Sequence, residues 1–222
     1  MNETDNDVID VDIFREGFLK YTTEAFQLIP IIKKPRILDV GCGTGTPTIE
    51  LAHLSGGKII AMDINKKDLQ ILNQKIKKKK LSNQIKTLNA SFLKNKFDKN
   101  SFDIIWAEGV FHIIGFEKSF KASQRILKKM GYLVLNESLK KISPYLRDIA
   151  KFGYKEYKKL KLPERVWWNE FYKPLEKEIN GLLVEDPKLI KNRQIRRYRR
   201  EISMVKPNPK EFDTAFYVLQ KI

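Results

Sequence analysis

After its first 34 residues the chain alternates short apolar runs with longer stretches of helical spacing. The runs Ile37 to Gly41, Lys58 to Asp63, Ile85 to Asn89, Phe102 to Glu108 and Gly131 to Glu137 predict strands. Strands alternating with helices imply a parallel sheet with helices on both faces. Two more strands are expected at Tyr154 to Leu162 and Phe212 to Gln220. Between them, Trp167 to Met204 has helical spacing, holds two of the three tryptophans and separates strands that a short loop would otherwise join. An insertion of that size is expected to be functional, as a lid. Upstream, Ile13 to Leu28 reads as a helix with Phe14, Phe18, Tyr21 and Phe26 on or near one face.

The first strand breaks into Gly41-Cys42-Gly43-Thr44-Gly45, a turn that opens a helix. Glycine at every second position removes the Cβ atoms that would keep a ligand from the backbone, as where α/β proteins hold nucleotide-like cofactors. The third glycine comes one residue too early for the dinucleotide fingerprint, which counts against a pyrophosphate. Asp39 interrupts the apolar run, and a carboxylate there needs a partner such as an ammonium or an ordered water. The second strand ends in Asp63, placed to accept hydrogen bonds from both hydroxyls of a ribose.

ILDVGCGTG followed by IIAMDIN resembles the class I S-adenosylmethionine-dependent methyltransferases. NSFDIIWAEG and KKMGYLVLNE are similar to that superfamily's fourth strand and to the turn and strand after it. WAEGVFHIIGFEKSF resembles a small-molecule-type group with a W-S-E-G…I-G-F-E pattern, as do WWNEFYKPLEKEI and the terminal FYVLQK. The resemblance implies a doubly wound, Rossmann-like fold. Its seven-stranded sheet is mostly parallel with an antiparallel last strand, and it carries a helical lid insertion. One domain is expected over 1–222: a cap helix within 1–34, a cofactor-binding core over 35–137, and a substrate-side half over 138–222 with the insertion at about 166–205.

The resemblance also implies roles. The turn of Gly41, Cys42, Gly43 and Gly45 passes under the methionine part of S-adenosylmethionine, whose product is S-adenosylhomocysteine. Asp39 orients the cofactor's amino group, Asp63 takes the ribose diol and Ile64 packs on the adenine. Ser91 and Phe92 stand where the family usually has an acid and a small residue near the adenine amino group; serine can still accept a hydrogen bond. Glu108 lies beside the sulfonium at the mouth of the acceptor pocket, and Tyr21 on the cap helix covers the cofactor. Trp167, Trp168, Phe171 and Tyr172 either wall the acceptor or simply bury the inserted helices. Methyl transfer needs alignment and exclusion of water, and a general base only for a protonated acceptor. Glu108 and His112 are the candidates. The alternative for each is a structural role. No His or Cys spacing suggests a metal, so none is expected.

Composition narrows the setting. The chain has 222 residues, 42% of them hydrophobic and 11% aromatic, enough to fill one core. One cysteine excludes an internal disulfide. The acidic N-terminus and the lack of a long apolar run point to a soluble cytoplasmic protein with no membrane partner, monomeric or homodimeric. The net charge of +16 keeps another substrate class open, because Lys188 to Arg200 holds seven bases and no acid around Tyr198. The expected function is methyl transfer to a small-molecule acceptor by in-line displacement. The alternatives are an RNA or protein methyltransferase docking through this insertion, or a non-catalytic cofactor-binding or partner-binding protein.

Overall fold

The computed structural model describes residues 7–222, so Glu3 and Asp5 of the acidic N-terminus, with the start of the segment over 1–34, lie outside the described residues. In chain order the elements are α1 (Asp12–Glu16), α2 (Leu19–Gln27), β1 (Arg36–Val40), α3 (Thr46–Ser55), β2 (Lys58–Asp63), α4 (Lys66–Lys78) and β3 (Ile85–Asn89). Then come β4 (Phe102–Glu108), α5 (Phe111–Ile114), α6 (Phe116–Ile126), β5 (Leu127–Ser138), α7 (Leu139–Leu146) and β6 (Tyr154–Lys161). A π-turn over Trp167–Tyr172 leads into α8 (Lys173–Glu185), followed by α9 (Arg193–Val205) and β7 (Thr214–Lys221). The chain divides into two compact units. One joins the chain up to Phe18 with Leu162–Asp213; the other joins Leu19–Lys161 with Thr214–Ile222.

The larger unit holds one seven-stranded sheet in the order β3-β2-β1-β4-β5-β7-β6. The first five strands pair in parallel, with Ile37 opposite both Ile59 and Ile104. β7 runs antiparallel between β5 and β6, with Val134 opposite Val218. The expected doubly wound sheet with its antiparallel last strand is therefore present. From Ile37 to Val40 β1 is buried, as a strand covered on both faces must be. Chain order reverses between β1 and β4, and a ligand crevice opens at the carboxyl ends of the strands at such a reversal. Leu38, Ile105, Leu133 and Leu135 fill the sheet core. Beside them Phe111, Phe116, Phe120 and Tyr154 form an aromatic cluster.

The smaller unit is helical. Phe14 meets Phe171 edge-on at 6.5 Å, Phe18 stacks on Trp167 at 4.4 Å, and Phe171 meets Tyr198 at 6.4 Å. The Gln194 side chain accepts from Val8 and Ile9 N–H and donates to the Ile9 carbonyl, so α9 and the N-terminal stretch are tied together.

Several boundaries differ from the sequence reading. The single helix expected over Ile13 to Leu28 is two, broken at Gly17 and Phe18, where the chain passes from one unit to the other. Glycine weakens a helix interior by about 1 kcal/mol, so it is the natural breaking point. The last strand starts at Thr214 rather than Phe212, because Pro209–Phe212 forms a short 3₁₀ turn. β5 starts at Leu127, four residues before Gly131, and pairing with β4 shifts register between Phe102 and Ile104 to absorb the extra length. The insertion expected at about 166–205 lies within the segment Leu162–Asp213 of the smaller unit.

Candidate functional site

The glycine turn is held by backbone bonds to the neighbouring strand. Gly41 and Cys42 N–H both donate to the Met62 carbonyl, at 2.8 and 3.1 Å, and Gly45 N–H closes the turn on the Cys42 carbonyl at 2.9 Å. All three glycines have positive φ, but they serve different ends. A Cβ on Gly41 would lie 2.4 Å from Val110 Cγ2, and one on Gly45 2.1 Å from Leu72 Cδ1. These two are fixed by protein packing. A Cβ on Gly43 would meet nothing within 4 Å, so Gly43 is the position where backbone faces open space. Gly45→Ala adds left-handed strain to a collision with the buried Leu72, and about 2 kcal/mol of stability is expected to be lost. The urea midpoint should fall with its slope unchanged.

Three carboxylates surround this turn. Asp39, at 3% exposure, accepts from Thr48 Oγ1 at 2.5 Å. Burial pushes its carboxyl up to about 7. Thr48 pulls the other way, and the charges of Glu108 and Asp63 add to the rise. Asp63 accepts Gly43 N–H on Oδ2 at 2.9 Å and Asn65 N–H on Oδ1 at 2.8 Å, and so fastens the turn to the start of α4. Asn65 itself caps α4 by accepting from Lys67 N–H. Glu108 Oε1 accepts from the Trp106 indole at 2.7 Å and from Thr22 Oγ1 at 3.1 Å. Trp106 and Glu108 stand two apart on β4 and so share a face; Thr22 brings α2 over the end of that strand. A cluster of acids at an open glycine turn is complementary to a cation carrying hydroxyl groups. Ile64, 76% exposed beside Asp63, adds an apolar surface.

A second constellation lies where β5 ends. Glu137, with a fully buried side chain, accepts the His112 backbone N–H on Oε1 at 3.3 Å and faces His112 Nδ1 through Oε2 at 2.9 Å. A carboxylate only accepts, so Nδ1 carries the proton, and in the neutral tautomer this selects the lone pair is on Nε2. The His112 side chain is 30% exposed.

The other predicted positions fall as follows. Cys42 is buried within the turn, and burial with the nearby Asp39 charge pushes its thiol up, out of the reactive range. Ser91 opens a 3₁₀ turn, and Phe92 is in the core, stacked on Phe111 at 6.0 Å. Tyr21 is buried on α2. Trp167, Phe171 and Tyr172 contribute to the smaller unit's aromatic core, and Trp168 lies 5.9 Å from the Lys206 ammonium. Thr22, Trp106 and Glu137 were not expected at the site. Glu137 had a signal, an acid ending a parallel strand as in β2 and β4; Thr22 had none. Among the described residues no group of three or more His, Cys, Asp or Glu could hold a metal ion, and no helix is long and apolar enough to cross a membrane.

The sequence profile of the family described as "Methyltransferase domain" matches residues 38–135, which run from β1 to β5 and contain every acid of the turn. Over this segment the chain matches the class I S-adenosylmethionine-dependent methyltransferase superfamily. Sterol 24-C-methyltransferase of Kluyveromyces lactis is 31% identical to the chain over 120 residues, 51% of the chain and 32% of that protein. The chain spans between 26% and 50% of the length of the first curated relatives it matches. Among solved structures, the [4+2]-cyclase SpnF has a TM-score of 0.77 at 16% identity, covering 91% of this chain and 80% of its own. Haemonchus contortus phosphoethanolamine N-methyltransferase 2, solved with S-adenosyl-L-methionine, has a TM-score of 0.67 at 16% identity, covering 91% of this chain and 52% of its own. At such identities these two neighbours speak for the fold alone.

Proposed function

We propose that this chain transfers the methyl group of S-adenosylmethionine to a small-molecule acceptor, and that the acceptor carries a hydroxyl group. The observation that carries the reading is the open Gly43 position, whose N–H is held by Asp63, together with buried Asp39 coupled to the charges of Glu108 and Asp63. The residues fit the cofactor. Buried Asp39, pushed up to about 7, gains from an ammonium beside it. The oxygens of Asp63 each have a second lone pair for the ribose hydroxyls. Exposed Ile64 offers an apolar surface to the adenine, and Glu108 a negative charge to the sulfonium. Ser91, Phe92, Tyr21 and the Gly41, Cys42 and Gly45 backbone complete the cofactor-side assignment.

When bound, S-adenosylmethionine supplies a methyl group already activated by sulfonium charge and leaves as S-adenosylhomocysteine. The protein's work is then to hold the acceptor in line, exclude water and remove a proton. His112 Nε2 takes the hydroxyl proton as the oxygen–methyl bond forms and the sulfur–methyl bond breaks, with Glu137 holding the ring in the right tautomer. A sulfide or a tertiary amine would have no need of this pair, which is why a hydroxyl is favoured. Trp167, Trp168, Phe171 and Tyr172 are assigned to the acceptor side on the family resemblance alone. The cyclase among the fold neighbours shows that this architecture also hosts other chemistry, so transfer must be measured rather than read from the fold.

Calorimetric titration with S-adenosylmethionine and S-adenosylhomocysteine tests the cofactor site. Binding of both is expected, and Asp63→Ala should weaken it by roughly 1.5–3 kcal/mol, the size of a charged hydrogen bond. Affinity within twofold of the unaltered protein would remove Asp63 from the site. A mass-spectrometric screen of small hydroxyl compounds for methyl gain then tests the acceptor class.

A further inference from the structure

The outward face of α9 has no place in this chemistry. Arg193, Arg196, Arg197, Arg199 and Arg200 are exposed, while Ile195, Tyr198, Ile202 and Val205 are buried. At about 100° per residue, Arg193, Arg196, Arg197, Arg200 and Met204 share the side opposite the buried one. Lysine-rich composition does not explain this row. The chain has ten arginines, and five of them lie in the eight residues 193–200. A guanidinium differs from an ammonium in gripping phosphate with two parallel hydrogen bonds, so arginines gathered on one face suit an array of phosphates.

Nucleic acid and lipid both offer such an array, and three observations favour lipid. Tyr198, the aromatic residue within the run, is 4% exposed and gives bases no surface to stack on. One side of the helix is buried against its own unit, so only a face is offered, not a helix that a groove can enclose. The row is also bracketed by apolar side chains: Ile190, 40% exposed in the turn Pro187–Lys191 before the helix, and Met204, 56% exposed near its end. Apolar side chains flanking basic ones gain little beside a phosphate backbone, but they enter the boundary between headgroups and acyl chains. Glu201, the acid on this helix, is paired with Arg197 at 3.0 Å and so offsets one charge of the row and leaves it basic.

We propose that α9 and the turn before it dock on an anionic phospholipid surface, with the arginines against headgroup phosphates and Ile190 and Met204 entering the interface. The attachment is peripheral, and it stands or falls independently of methyl transfer. Co-sedimentation with phosphatidylcholine vesicles, with and without phosphatidylserine, tests it. Binding is expected only with phosphatidylserine and should weaken as salt rises. Neutralising a basic residue costs about fivefold in partition, so the triple variant Arg193→Gln, Arg196→Gln, Arg200→Gln should lose about a hundredfold. Met204→Asp should weaken vesicle binding even at low salt. Both variants change exposed side chains, and unaltered circular dichroism checks that they fold. Equal vesicle binding by the triple variant overturns the proposal, as does failure to bind either vesicle. Binding to single-stranded RNA that is tighter than to vesicles and indifferent to Met204→Asp would also overturn it, and would assign the face to nucleic acid.

Discussion

His112→Ala is expected to lower kcat for a hydroxyl acceptor by about 10²–10⁴ while leaving S-adenosylmethionine affinity unchanged, the range typical of losing a positioned general base. Glu137→Gln separates positioning from packing. A glutamine fits the same buried space and can still accept from the His112 backbone, but its amide can equally offer an N–H to Nδ1 and so favour the wrong tautomer. Its kcat should fall less steeply than that of His112→Ala, with KM unchanged, because the ring stays in place while its tautomer is no longer enforced. A purely structural Glu137 would leave kcat in place and change only the unfolding midpoint. If His112→Ala leaves kcat within a few fold, the acceptor needs no base, and the hydroxyl class falls with it.

Much of this centre was legible because its chemistry sits where strands end. Asp63 and Glu108 each close an apolar run that reads as a buried strand, Asp39 interrupts one a residue before its end, and a carboxylate there is costly enough to require a reason. The glycine turn was legible for the same cause: no other residue tolerates φ of +53° at Gly43 and +83° at Gly45 so readily. What the sequence hid was contact between segments distant along the chain. Thr22 bonds Glu108 across 86 positions, and nothing marks that threonine beyond its place on a helix face. Glu137 carried the same strand-end sign as the other acids, but its partner His112 lies 25 positions away and had no periodicity to announce it. The helix break at Gly17 was masked by Phe14, Phe18 and Tyr21, whose spacing continues through it although Phe18 and Tyr21 belong to different units.

Asp39 yields the other large effect, with opposite signs for binding and for stability. In the free protein its carboxyl is pushed up to about 7, by burial first and by the Glu108 and Asp63 charges after it. An ammonium needs the ionised form, so S-adenosylmethionine affinity should fall about tenfold for each pH unit below 7 and level off above it. Asp39→Asn keeps the shape and the acceptor for Thr48 but loses the charge. Affinity at pH 8 should drop by about 100-fold or more, the cost of breaking a buried pair. Stability moves the other way. A carboxyl whose pKa is raised above its unfolded value of 3.8 favours folding while protonated, and that contribution is lost as pH rises from about 4 to 7. Asp39→Asn never ionises, so the ligand-free variant should unfold at a higher urea concentration than the unaltered protein at pH 8, while the two converge near pH 4. A variant that lost affinity and stability together would show Asp39 to be a packing residue. Gaining one while losing the other is what a charge held in place for a cation requires.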